Sequence, residues 1–470
     1  MEIKSQQFKT QATKALHNEN LQSALKRAKS GFIDKRRKAL DALPEFEQLR
    51  ETAKDIKQHS LSYLDYYLSE FESQVEKQNG RVHWASDSKT ACEQIVGICQ
   101  RANAKKIIKG KSMVGEEIAL NEALEKAEFE VIETDLGEYI IQLAEEPPSH
   151  IIAPAVHKTR GEISDLFYDH HKKHGFDKLD EVSELVDSAR QIMREQFVSA
   201  DVGITGANFL VAETGSIVLV TNEGNGDLTS HLPRVHIVVT SIEKVIPTLE
   251  DANVFLRLLG RSATGQTLST YTSFITGAKR NADLDGAGEF HVVLLDNGRS
   301  SVLGSPFEDM LRCIRCGACM NHCPVYGNVG GHAYGWVYPG PMGSVLTPLL
   351  RTIEEASALP NASTFCGRCE EVCPMKIPLP KLLRLHRIQE FDKNLQPSMQ
   401  HWALKAWGYL ATHPSLYRFL MNQQTRMLKL FSRKGWLKRA PMGKGWTQSR
   451  DILAPEGRSF ISQYQKKMNS

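Results

Sequence analysis

Seven of the chain's nine cysteines fall between Cys313 and Cys373. The first four are spaced Cys313-x2-Cys316-x2-Cys319-x3-Cys323, with Pro324 next. Three thiolates this close wrap one metal centre, and the 2-2-3 run ending in Cys-Pro is the bacterial ferredoxin spacing, in which the fourth cysteine reaches a neighbouring cluster. Soft thiolates hold iron–sulfur clusters, whereas structural zinc normally takes two separated Cys-x2-Cys pairs. Disulfides fit poorly, because nine cysteines in 470 residues are too sparse for a disulfide scaffold.

A second, shorter copy reads Cys366-x2-Cys369-x3-Cys373-Pro374, and its first position falls on Ser363. The crossover rule assigns Cys313, Cys316, Cys319 and Cys373 to cluster one, and Cys323, Cys366 and Cys369 to cluster two. One iron corner of cluster two then lacks a cysteine. Three outcomes are open: a 4Fe–4S cube with an oxygen ligand such as Ser363 or water, a cube capped by a partner, or a 3Fe–4S cluster. The expectation is two 4Fe–4S clusters, with 3Fe–4S as the alternative for the second. Two clusters with interleaved ligands form an electron relay, whose direction the residues leave unset.

These cysteines need a scaffold. Residues 1–80 are charged and helical in pattern, with Leu61, Leu64, Tyr67/Leu68 and Phe71 on one stripe. The basic run Lys35–Lys38 reads as a solvated helix face, and no nucleic-acid motif follows it. Residues 81–303 alternate strands and helices. Lys106–Lys109, Phe129–Thr134, His150–Val156, Ser216–Thr221, Val235–Ser241 and Phe290–Leu295 are strand-like, and Val114–Ala127 is helical. That alternation predicts a layered α/β domain with a largely parallel sheet. Residues 304–390 carry the cysteines between short helical pieces, and 391–470 are helical, aromatic and basic.

Other residues invite chemistry less strongly. The turn Asn222-Glu223-Gly224-Asn225-Gly226-Asp227 follows a strand and reads equally as structural or ligand-binding, with Glu223 a candidate nucleophile; no dinucleotide fingerprint is present. His157, Lys158 and Arg160 are candidates for the same cleft or solvated loop residues. His322 and His332 are candidates for tuning a cluster, and Gly330–Trp336 for covering it. Cys92 and Cys99 share a helix face and read as inert buried thiols.

Composition sets outer limits. At 41% hydrophobic and 24% charged, the chain is not wholly disordered. No apolar run approaches the ~20 residues of a membrane span. The opening MEIKSQQFKTQATKALHNEN lacks the apolar core of a secretory signal, which makes the expected location cytoplasmic. The net charge of +3 is uneven: His401–Arg450 holds ten Lys/Arg and no acid, leaving −7 for the remainder. Trp402, Trp407, Tyr409, Tyr417, Phe419, Phe431, Trp436 and Trp446 interleave with this charge. Such a segment suits an acidic partner subunit, an anionic membrane surface met peripherally, or the protein's own acidic body.

Three stretches together, AETGSIVLVTNEGNGD at Ala212–Asp227, EFHVVLLDNGRS at Glu289–Ser300 and the cysteine region through GGHAYGWVYPGP at Gly330–Pro341, resemble the lactate utilization protein B family. The resemblance runs from about Arg50 to Pro397. It implies a lactate-utilization domain similar to sugar-phosphate isomerases and CoA transferases, followed by a helical ferredoxin domain with two 4Fe–4S clusters. The seven cysteines match the family's ligand positions, including the missing eighth. The resemblance also implies electron transfer during oxidation of L-lactate to pyruvate, beside a cysteine-rich subunit and a smaller subunit, toward an acceptor it does not name. No residue makes a convincing hydride or proton-abstraction site, so the chain reads as an electron-transfer subunit rather than a free-standing enzyme. The rivals are the iron–sulfur subunit of a glycolate-type oxidase, and a CoA or acyl-transfer enzyme built around Glu223.

Overall fold

The structure, a computed structural model, describes residues 3–438, 447 and 450–469. The chain divides into two compact units, Met1–Glu390 and Phe391–Ser470. The centre of the first is built from β1 (Gly80–Ala85), β2 (Lys106–Lys109), β3 (Glu130–Glu133), β4 (Val202–Thr205), β5 (Phe209–Val211), β6 (Ser216–Thr221), β7 (Val235–Ser241), β8 (Val245–Ile246), β9 (Tyr271–Ile275) and β10 (Glu289–Leu295). Six of these form one sheet in the order β1-β10-β7-β4-β2-β3, with every neighbouring pair parallel. The near-continuous apolar runs explain this arrangement. All seven residues of β7 are buried, as central parallel strands covered on both faces require.

A second sheet, β8-β5-β6-β9, pairs β6 antiparallel with β5 and β9. Only β6 of this sheet is legible as a strand in the sequence, since β5 and β8 span three and two residues. Gly203 in β4 sets an important distance: a Cβ there would lie 1.8 Å from the Thr229 carbonyl oxygen. Its absence lets helix Asn225–His231, with the turn that precedes it, lie directly on the sheet.

Three expectations need correction. His150–Val156 is not a strand, because the His150 Nδ1 accepts from the Ile152 and Ala153 amides at 3.0 and 3.1 Å. That side chain takes up the donors a ladder would use. Val114–Ala127 is two helices, Met113–Glu117 and Leu120–Lys126, broken where Ala119 adopts φ +55°. The stripe Leu61–Phe71 likewise crosses a break at Tyr63, between helices Phe46–Ser62 and Leu64–Lys77.

The N-terminal helices are part of the common core. Phe71 and Val75 are fully buried against Phe290, Val292 and Leu294. Each such side chain contributes roughly 1.5–3 kcal/mol by leaving water. Phe46, Ala53 and Leu61 pack in one cluster with Phe209 and Phe255, and with Met310 and Leu311 from the cysteine region. That region is made of short helices, among them Ala318–Asn321, Gly340–Leu350 and Arg368–Glu371.

In the second unit, helices Ser398–Ala411 and Pro414–Leu430 are followed by a short antiparallel pair, Trp436–Leu437 with Ile452–Leu453, and helix Phe460–Met468. Trp402, Trp407, Tyr409 and Phe419 are exposed. Trp446 lies outside the described residues. Among the described residues no helix is long and apolar enough to cross a membrane.

Candidate iron–sulfur centre and the crevice beside it

The two cysteine copies share a backbone as well as a spacing. Arg315 and Gly317 flank Cys316 with φ +57° and +74°, and Phe365 and Gly367 flank Cys366 with φ +54° and +80°. Such alternation of handedness turns successive amides toward one point, a concavity suited to anions and to cluster sulfur. The Ala318 amide hydrogen-bonds Cys316, and the Arg368 amide hydrogen-bonds Cys366. Each turn then opens a four-residue helix, Ala318–Asn321 or Arg368–Glu371, carrying the next cysteine.

Cys313, Cys316, Cys319 and Cys373 line one cavity, whose other walls include Ile151, Ile314, Met342 and Ile377. Four soft donors converging in apolar surroundings fit an iron–sulfur cluster, and all nine cysteines are free thiols. Burial pushes the Cys373 thiol up to about 11 and raises Cys316 and Cys319 further. Thiols so placed ionise when a metal supplies the opposing charge. The Tyr334 hydroxyl gives a second sign. Among the described residues it is buried without a hydrogen-bond partner, in the field of Cys323 and Cys319, and would be a donor for cluster sulfur.

Cys369 is raised to about 12, first by burial and then by Cys323; Cys366 also acts on it and is itself exposed. Ser363, at the position a cysteine takes in the first copy, accepts a hydrogen bond from the Phe365 amide at 3.1 Å through its hydroxyl. The hydroxyl thus closes its own turn.

Arginines from the N-terminal helices hold the second copy. Arg50 donates to the Cys373 carbonyl through Nε at 3.0 Å and Nη2 at 2.6 Å, and Arg36 donates to the Val372 carbonyl at 3.0 Å. The run Lys35–Lys38 is therefore not a wholly solvated face, since Arg36 is buried.

A buried polar chain ties the first copy to the parallel sheet. Arg315 Nη2 meets Glu243 Oε1 at 3.1 Å, Glu243 Oε2 meets Arg299 Nε at 2.9 Å, and Arg299 grips Glu117 at 2.6 and 2.9 Å. Tyr338 donates its hydroxyl to Glu117 at 2.7 Å. Burial alone would raise Glu243, but Arg299 and Arg315 hold it down at about 2. Sequence reasoning missed this chain. Its signal was Arg299, a cation just past an apolar strand and a turn, and Arg315, a cation between two cysteines.

A crevice of about 240 Å³, lined by both polar and apolar residues, opens beside the cysteines. It lies past the carboxyl ends of adjacent strands β2 and β4, lined by Gly110–Met113 and Thr205–Asn208. Within this sheet the strand that follows β2 is β3, on one side, and the strand that follows β4 is β7, on the other, reached through β5 and β6 of the second sheet. Such a switch point is where open α/β sheets bind ligands. Asn222, Glu223, Asn225 and Gly226 line it, as do Asp135, Lys111, Lys244 and Arg315. Loss of solvent, and then Asp135, raises the Glu223 carboxyl. His157, Lys158 and Arg160 do not line it: His157 and Lys158 bond Glu146 at 2.7 and 2.5 Å. His322 bonds the Ala318 carbonyl at 2.9 Å, and His332 the Pro147 carbonyl at 2.8 Å. Cys99 is buried and Cys92 partly so, both with raised pKa through burial.

A parallel-sheet domain joined to a twice-repeated cysteine loop defines an iron–sulfur protein with an α/β partner domain. Residues 68–295 match the LUD domain, 309–377 the 4Fe-4S dicluster domain, and 384–469 the C-terminal domain described as "Lactate utilisation protein B, C-terminal". The chain belongs to the lactate utilization protein B family. It is 43% identical over 463 residues to lactate utilization protein B of Lysinibacillus sphaericus, covering 98% of this chain and 97% of that one. The Bacillus subtilis relative of the same name is also 43% identical, over 98% and 96%. An Escherichia coli relative, described as an uncharacterized electron transport protein, is 41% identical over 98% and 96%. A Deinococcus radiodurans DUF162 family structure overlaps 49% of this chain and 98% of its own, at 12% identity and a TM-score of 0.27, too slight a likeness to argue from.

Proposed function

We propose that this chain is the iron–sulfur electron-transfer subunit of an L-lactate-oxidising system that allows lactate to serve as carbon source. The supporting observation is Cys373, which belongs to the second cysteine copy yet lines the cavity of the first three cysteines. Ligands crossing between copies hold two centres side by side, as an electron relay needs. Cys313, Cys316, Cys319 and Cys373 hold cluster one; Cys323, Cys366 and Cys369 hold cluster two, with an exogenous or oxygen ligand at its fourth corner. When bound, the clusters supply reversible one-electron chemistry. Oxidation of L-lactate to pyruvate releases two electrons and two protons, which two one-electron centres match. Arg50 and Arg36 fix the backbone before Pro374, the apolar cavity walls exclude water, and the Ala318 and Arg368 amides stabilise thiolate charge.

The partners are the cysteine-rich and small lactate-utilization subunits and an electron acceptor whose identity the residues leave open. The aromatic, basic segment of residues 391–470, with Trp402, Trp407, Tyr409 and Phe419 exposed, is the docking region for an acidic subunit in the cytoplasm. Residues 1–80, 81–303 and 304–390 serve as the helical N-terminal region, the α/β domain and the helical ferredoxin domain. Anaerobic EPR tests the reading. Two interacting reduced 4Fe–4S signals are expected, together with their appearance on adding L-lactate and the partner subunits. Zinc in place of iron, or reduction by glycolate but not lactate, overturns it.

The position of Glu223 at the crevice favours one second reading, acyl transfer with the clusters accessory. CoA-dependent activity that survives cluster loss and disappears in Glu223→Gln would establish it.

A further inference from the structure

The crevice and the cysteine cavity have a common wall. Ile151 and Arg315 line both. The segment that carries Ile151 also presses on the cysteine turn, since a Cβ on Gly317 would lie 3.2 Å from Ile152. A molecule in the crevice is therefore one side chain removed from the first cysteine set.

The charges in the crevice point to the occupant. Three cations line it, and two already have carboxylate partners: Lys111 with Asp135 at 3.7 Å, and Arg315 with Glu243 at 3.1 Å. Lys244 donates to the Ala207 carbonyl at 2.6 Å and forms no ion pair among the described residues. Burial lowers it to about 8, against the pull of Glu243. A partly buried ammonium without a paired carboxylate is costly unless an anion arrives. A phosphate dianion would bring more charge than Lys244 balances, next to Asp135 and Glu223. Ile151, Ile152, Leu259 and Ala263 offer apolar wall for a short carbon chain, and Asn208 and Ser112 offer polar atoms for a second oxygen.

We propose that this crevice binds a small organic monocarboxylate, paired with Lys244 and separated from the first cysteine set by Arg315. The choice of a 2-hydroxy or 2-oxo acid as its occupant rests on the lactate reading above. The clusters then sense the occupant through the wall, because charge next to Arg315 alters the field at the neighbouring thiolates.

The test is calorimetric titration of the anaerobically purified holoprotein with pyruvate and with L-lactate, repeated in Lys244→Gln and Lys244→Arg. Pyruvate or lactate is expected to bind one per chain, at least tenfold weaker in Lys244→Gln and within about threefold of wild type in Lys244→Arg. Saturating ligand is expected to alter the EPR line shape of the reduced wild type. No binding of either acid, binding indifferent to Lys244→Gln, or equal competition by inorganic phosphate overturns the proposal. An unaltered spectrum at saturation removes the shared-wall coupling. If neither acid binds yet lactate and the partner subunits still reduce the clusters, the relay stands and the crevice proposal falls. If an acid binds but no reduction follows, the relay falls alone.

Discussion

Arg315 and Glu243 meet at 3.1 Å, a cation from between two cysteines and a carboxylate from the edge of the α/β domain. Glu243 is buried and the Arg315 side chain is 11% exposed, and Arg299 holds the other carboxylate oxygen at 2.9 Å. Removing one member of such a buried set strands its partners, at a cost of about 3–5 kcal/mol. Glu243→Gln is expected to lose that much in a denaturant titration at pH 7. A loss below about 1 kcal/mol would show that the chain of ion pairs is dispensable.

The same carboxyl makes the protein acid-sensitive. Glu243 sits at about 2 when folded, against an ordinary 4.5. A depressed pKa gives stability that is present above pH 4.5 and lost as pH falls toward 2, worth about 3 kcal/mol in all. The stability gap between wild type and Glu243→Gln should narrow over that window. Circular dichroism of both proteins side by side checks it, with acid loss of iron common to the two; a constant gap rejects the linkage.

Single cysteine changes should divide the clusters. Cys373→Ser, although in the second copy, is expected to remove cluster one, and Cys369→Ser cluster two. Each would leave about four irons of about eight. Iron analysis with EPR reads this directly. If Cys373→Ser removes the same signal as Cys369→Ser, the crossed assignment is wrong.

Gly367 has φ +80°, and a Cβ added there would meet no heavy atom within 4 Å, so only backbone conformation opposes a substitution. Gly367→Ala is expected to cost about 1–2 kcal/mol and Gly367→Asn less, because asparagine tolerates the left-handed region. Thermal melts of the two variants check this. Equal melting temperatures would mean that the turn relaxes.

Trp402 and Trp407 are 68% and 64% exposed on helix Ser398–Ala411, and the Lys405 ammonium lies 5.3 Å from the Trp402 ring centre. If this segment docks a partner, Trp402→Ser with Trp407→Ser should weaken association with the other lactate-utilization subunits at least tenfold and leave iron content unchanged. Co-purification with quantified iron tests it. Undiminished association moves the interface elsewhere.

The parallel sheet was legible because Val235–Ser241 and Phe290–Leu295 each hold a run of consecutive apolar residues, and the cysteine loops because thiol spacing is local. What escaped depended on distance along the chain. β5 and β8 are too short to show a period, and His150 broke an apolar run with its own ring nitrogen. Arg36 looked solvated because the carbonyl it bonds lies 336 residues away. The crevice was half visible, in the glycine turn after β6; Lys244 and Arg315 become its neighbours only through the fold.

The grip of Arg36 and Arg50 on Val372 and Cys373 also has a meaning in time. A ribosome delivers the clamp first and the cysteine it steadies more than three hundred residues later. If Cys373 completes the first cluster as proposed, the first three thiols have one corner unfilled until that late segment emerges. On that assignment metal loading of this centre falls near the end of synthesis, and a chain cut short before Cys373 lacks a complete site for its first cluster.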